Sequence, residues 1–169
     1  MLKLIGGVLV GISGVAVGIS AGMSVKRRAS ALESWVRALH IMKTEIVLRR
    51  EPMDAVAARL SSEAGGEAGR YFGKISSLMT EGKSFREARE EADIDLCRSS
   101  LGSFDVEAFS RALDAAGRYG AAVQAQVFSD VSAELEERLA EAREDRDKKA
   151  GLYQALGVCG GVMMVLMVI

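Results

Sequence analysis

Few residues in this 169-residue chain have the type and spacing that chemistry requires. His40 is the single histidine, and neither Glu33 nor Glu45 stands one helical turn from it to complete a metal site. Cys97 and Cys159 have no zinc-type spacing and are too few for a disulfide framework. Neither has a histidine close in sequence. The run Gly65-Gly66-Glu67-Ala68-Gly69-Arg70 superficially looks like a phosphate loop, but it lacks the Lys-Ser/Thr pair and follows no strand. Carboxylates crowd the Arg86–Asp95 stretch, where a solvated helix face explains them most simply. The expectation is a protein that is not an enzyme, with no cofactor and no metal.

Composition narrows the class further. With 22 Lys+Arg, 23 Asp+Glu and one His, the formal charge is −1, which argues against a nucleic-acid binder held by a basic surface. Aromatics at 5% and a single proline argue against a many-stranded, turn-rich β fold. The charge is also unevenly placed. Every acidic residue, and every basic residue except Lys3, lies between Lys26 and Lys149.

Three pieces follow from that partition: 4–25 as a transmembrane helix, 26–149 as a cytoplasmic helical bundle, and 150–169 as a second transmembrane helix. Leu4–Val25 and Ala150–Ile169 carry no charge. At about 1.5 Å per residue they would span about 33 and 30 Å, enough for a hydrocarbon core of roughly 30 Å. A cleaved signal peptide is the alternative for the first stretch, which would leave a secreted helical binding module. Its apolar run is longer than a usual signal core, however, and its positive cluster follows the run instead of preceding it. Lys26-Arg27-Arg28 after the first stretch, and Arg143, Arg146, Lys148 and Lys149 before the second, put the bundle in the cytoplasm and both termini outside. Gly14, Gly18 and Gly22 recur at four-residue steps, as do Gly157 and Gly161. Such glycines share one helix face and allow close backbone approach in lipid, whether to the other span, another copy of the chain or another protein.

Between the two stretches the pattern is helical. Leu32, Val36, Leu39, Met42 and Ile46 recur at three- and four-residue steps over Arg28–Arg50. Pro52 suits the first turn of a helix over Met53–Leu60. Glu63–Gly69 reads as a loop, Tyr71–Thr80 as a third helix, and Gly82-Lys83 as its break. Ser84-x-x-Glu87 is a capping box opening a fourth. A fifth covers Asp105–Tyr119, and a last runs over Ala121–Lys149, with Val127, Val131, Leu135 and Leu139 as its seam and no Pro or Gly to stop it before Gly151. The expected fold is all-α, a compact bundle of about six helices flanked by the two spans.

The opening Met1-Leu2-Lys3-Leu4-Ile5-Gly6, the helix end Glu45-Ile46 followed by Pro52-Met53, and the closing Leu152-Tyr153-x-x-Leu156-Gly157-x-x-x-Gly161 together resemble the stage III sporulation protein AB family. The likeness covers essentially the whole chain. Leu48-Arg49 stands where that family often has Tyr-Gly, and Ala121-Ala122-Val123 replaces a polar or acidic residue usual after Gly120. The resemblance implies a likeness to the cytoplasmic domain of the inner-membrane platform protein of type II secretion and type IV pilus machines. It also implies a place in the channel complex between mother cell and forespore, in the mother-cell membrane, beside a secretion-type ATPase and other channel membrane proteins. A protein of this kind acts by contact. Glu45, Arg49, Arg50 and Glu51, at the first helix–turn–helix, are the candidate partner-binding residues, with ordinary solvated helix-end charge as the competing reading.

Overall fold

The computed structural model describes the backbone of residues 23–118 and 120–168, and the side chains of residues 23–116, 120 and 122–148. Helix α1 covers residues 23–42 and widens into a π-helical turn over Lys43–Leu48. It is followed by α2 (Met53–Glu63), α3 (Gly66–Thr80), α4 (Phe85–Leu96), α5 (Ser103–Arg118) and α6 (Ala121–Val168). Among the described residues there is no strand.

Local chemistry accounts for the helix ends. Pro52 biases Glu51 away from helical backbone and has no N–H to give, so α1 must close before it. It closes through the wide turn: Arg49 N–H donates to Thr44 O at 3.1 Å and Glu51 N–H to Glu45 O at 3.0 Å. Arg50 takes the left-handed conformation, φ +57°, that this reversal demands. Pro52 itself is the N-cap of α2, one position before the expected first turn. At the other end of α3, Gly82 has φ +95°, Lys83 N–H donates to Leu78 O and Gly82 N–H to Met79 O, so a Schellman closure makes the predicted break.

The expected loop over Glu63–Gly69 is corrected to a two-residue turn, because α3 begins at Gly66. Ala68, Tyr71 and Phe72 must all face the core, and only an early helical start aligns them. Gly65 and Gly66 make the turn with φ of +67° and +55°, and a Cβ on Gly66 would come within 2.9 Å of Ser34 Cβ. Here glycine serves a close approach and not a bound phosphate.

The chain divides into two units, one of Met1–Ala29 with Ala140–Ile169 and one of Ser30–Leu139. In the second unit the seam residues Leu32, Val36, Leu39, Met42 and Ile46 are all buried, as predicted. On α6, Phe128 joins Val131, Leu135 and Leu139 in the core, while Val127 is only half-buried. The centre is aromatic. Trp35 meets Phe109 edge-on at 4.4 Å between ring centroids, Tyr71 at 5.3 Å and Phe72 at 6.3 Å. Alanines at 31, 38, 57, 68, 88, 92, 108 and 112 are buried among these large side chains. Alternating large and small side chains in this way lets helices interdigitate at interior density.

Of the first unit, residues 4–22 of the apolar stretch lie outside the described residues, and so do Gly14, Gly18 and Gly22. Residues 150–168 continue α6, so the last helix extends past Lys149 as expected, but the surroundings of Gly157 and Gly161, and with them the expected packing face, lie outside the described side chains. Among the described residues no helix is long and apolar enough to cross a membrane.

Candidate functional site

Helix α4 illustrates how ionic groups are used in this bundle. Its N-terminus carries the predicted capping box. The Glu87 carboxylate accepts from the Ser84 N–H at 2.9 Å and from the Ser84 hydroxyl at 2.7 Å, while Ser84 Oγ accepts the Glu87 N–H at 3.3 Å. These bonds, the hydroxyl's first, hold the Glu87 carboxyl below its usual range. A carboxyl depressed in the folded state adds stability above its unfolded pKa of about 4.3 and loses it as pH falls through the folded value. Ser84→Ala is therefore expected to lower the urea midpoint at pH 7, with the gap to the parent chain narrowing below about pH 4. A gap unchanged at pH 3 would detach the cap from Glu87 ionisation.

The Arg86–Asp95 run is more than a solvated face. Arg86 and Glu90 do pair on the exposed side at 3.2 Å. Arg89, however, is largely buried, with its guanidinium 2.5 Å from Asp114 on α5 and 3.6 Å from Asp93. Asp93 in turn accepts the Tyr71 hydroxyl of α3 at 2.7 Å, and burial pushes the Tyr71 phenol well above its ordinary pKa. Lys74 reaches Asp95 at 2.9 Å, and Lys83 reaches Glu91 at 2.5 Å. The correction has a physical cause: Ala88 and Ala92 put one side of α4 into the core, so charges flanking that side meet neighbouring helices before they meet water.

The predicted partner-binding residues separate in the same way. Arg49, Arg50 and Glu51 are exposed. Glu45 is not; its side chain is 6% exposed and accepts from Arg59 of α2 at 3.0 Å and Arg49 at 3.2 Å. Arg59 also holds Glu63 at 2.8 Å. Glu45 lies on the same face of α1 as buried Ala31 and Ala38, so it ties α1 to α2 and is not exposed with Arg49, Arg50 and Glu51. His40 is exposed, and its Nε2 sits 3.0 Å from the Glu136 carboxylate of α6, a contact that sequence offsets along α1 did not suggest. Cys97 is a free, exposed thiol, whereas Cys159 lies outside the described side chains. Among the described residues no three His, Cys, Asp or Glu side chains assemble as a metal set.

One concavity went unnoticed in the sequence. A cleft of about 300 Å³ lies among α1, α3 and the end of α4, walled by Trp35, Tyr71 and Leu96, with Arg70 and Arg98 along it. Its residues span positions 35 to 99, and no local pattern joins them.

The fold and these pairings define an all-α helical bundle, tied by inter-helix ion pairs around an aromatic centre. The family model for stage III sporulation protein AB matches residues 3–169. The chain belongs to that family and is therefore a stage III sporulation protein. No curated protein and no solved structure matches it.

Proposed function

We propose that this protein is a non-enzymatic membrane platform subunit of the sporulation channel between mother cell and forespore, holding a secretion-type ATPase at the membrane. The observation that carries the reading is the family match over residues 3–169, which takes in both uncharged stretches as well as the bundle between them. Cations beside each stretch support a cytoplasmic bundle, where an ATPase has its nucleotide. Exposed Arg49, Arg50 and Glu51, after the left-handed turn at Arg50, supply a charged contact point on that side.

The test uses membrane vesicles carrying the full chain. After a carbonate wash the chain should stay in the pellet, and a secretion-type ATPase should bind inside-out vesicles but not right-side-out ones. Reversing Arg50 and Glu51 together should weaken that binding about tenfold, the loss of one or two charge-assisted contacts. Release of the chain by carbonate, or equal binding to both vesicle orientations, would overturn the proposal.

A further inference from the structure

The unit formed by Met1–Ala29 and Ala140–Ile169 carries its surplus charge in one place. On α6, residues 141–149 hold four acidic and four basic side chains, and Lys148 pairs with Glu144 while Arg146 reaches Asp147 at 2.9 Å. On α1 nothing balances the cations. No acidic residue stands before Glu33, so the surplus is that of Lys26, Arg27 and Arg28. Arg28 is half-buried beside fully buried Ala29. Lys26 and Arg27 are exposed, and among the described residues neither closes an ion pair or donates a side-chain hydrogen bond. Met23 stands one turn earlier and is 43% exposed, a large apolar side chain open to the surroundings. Steps of three and four residues put Met23, Lys26 and Arg27 on one face of α1. That face begins inside the uncharged stretch, which ends at Val25, and turns cationic immediately after it.

An exposed apolar side chain followed within one turn by two unpaired cations calls for a ligand in which hydrocarbon adjoins a phosphate. We infer that this face of α1 binds the headgroup of an anionic phospholipid, with the phosphate between Lys26 and Arg27 and the start of an acyl chain along Met23. The guanidinium can hold two phosphate oxygens at once, and the ammonium adds a mobile point charge. A zwitterionic headgroup brings its own ammonium, which the same two cations repel, so the face selects for net negative charge. The inference rests on the membrane placement proposed above for its supply of lipid, and the ATPase contact plays no part in it.

The full chain in nonionic detergent is titrated with phosphatidylglycerol or with phosphatidylcholine of the same acyl chains, and bound lipid is counted by native mass spectrometry. Phosphatidylglycerol should be retained saturably, at severalfold lower lipid concentration than phosphatidylcholine. Each cation near an anionic headgroup contributes comparably, so Lys26→Gln with Arg27→Gln should weaken phosphatidylglycerol retention about tenfold or more and leave phosphatidylcholine unchanged. Both side chains are exposed and unpaired, so helicity should survive that change. The charge-keeping exchange Lys26→Arg with Arg27→Lys should retain the preference, as should Arg86→Gln with Arg98→Gln on the distant α4 end. Binding is read in micelles, so its outcome is separate from whether carbonate releases the chain. Equal retention of the two lipids, an undiminished preference in the Lys26→Gln, Arg27→Gln variant, or displacement of the lipid by inorganic phosphate or an oligoglutamate peptide would overturn the inference.

Discussion

Phe109→Ala is expected to cost about 3–5 kcal/mol of bundle stability, the range for emptying a large aromatic site in a packed interior. Phe109 is 0% exposed, lies edge-on to Trp35 at 4.4 Å and stands 6.2 Å from Phe72. Removing it opens a cavity at the point where α1, α3 and α5 converge, and it also removes favourable edge-to-face ring contacts. Against a total stability of about 5–15 kcal/mol, a loss of that size leaves a measurable unfolded fraction. Urea unfolding of the full chain followed by Trp35 emission reads the second unit specifically, since no other tryptophan is present. Phe104→Ala is the matched control. That ring is 68% exposed and only carries the Arg138 guanidinium over its face at 5.7 Å, so about 1 kcal/mol or less is expected. Equal losses from the two phenylalanines would mean that the aromatic centre is not packed as described.

Asp105→Ala is the second large expectation, a loss of about 3 kcal/mol. Its side chain is wholly buried. One carboxylate oxygen accepts the Gly102 N–H at 2.9 Å at the start of α5, and the other accepts Arg138 of α6 at 3.3 Å. Alanine leaves a helix-start amide without its acceptor and a half-covered guanidinium with one partner fewer. Arg138 keeps Glu134 at 3.0 Å, which places the loss at the lower end for a broken buried pair. Arg138→Ala should cost a comparable amount, because it takes the guanidinium away from a carboxylate that is 0% exposed, where water cannot take its place. A double-mutant cycle between the two should show coupling above about 0.5 kcal/mol, and strict additivity would show that the ion pair contributes nothing.

These two expectations also show where sequence reasoning stopped. The helix starting at Ser84 was legible because the capping box is a four-residue signal whose geometry is local. The break at Gly82 was legible for the same reason. Asp105 was legible only as a residue opening a helix. Its burial depends on Arg138, 33 positions away, and no spacing rule connects them. Glu45 shares its helix face with buried Ala31 and Ala38, but its partner Arg59 stands on another helix, and no spacing rule connects the two.

By itself the sequence determined the helical period, the positions of most turns, the three-part distribution of charge and the family. Each of these rests on residues close in the chain or on simple composition. Tertiary structure decided the rest. It determined which of the many carboxylates tie helices together, which arginines are left without partners, and that Trp35, Tyr71, Phe72 and Phe109 share one centre. The physical reason is that burial and ion pairing depend on which helix faces meet. Those meetings join residues 20 to 100 positions apart, far beyond the reach of a helical repeat.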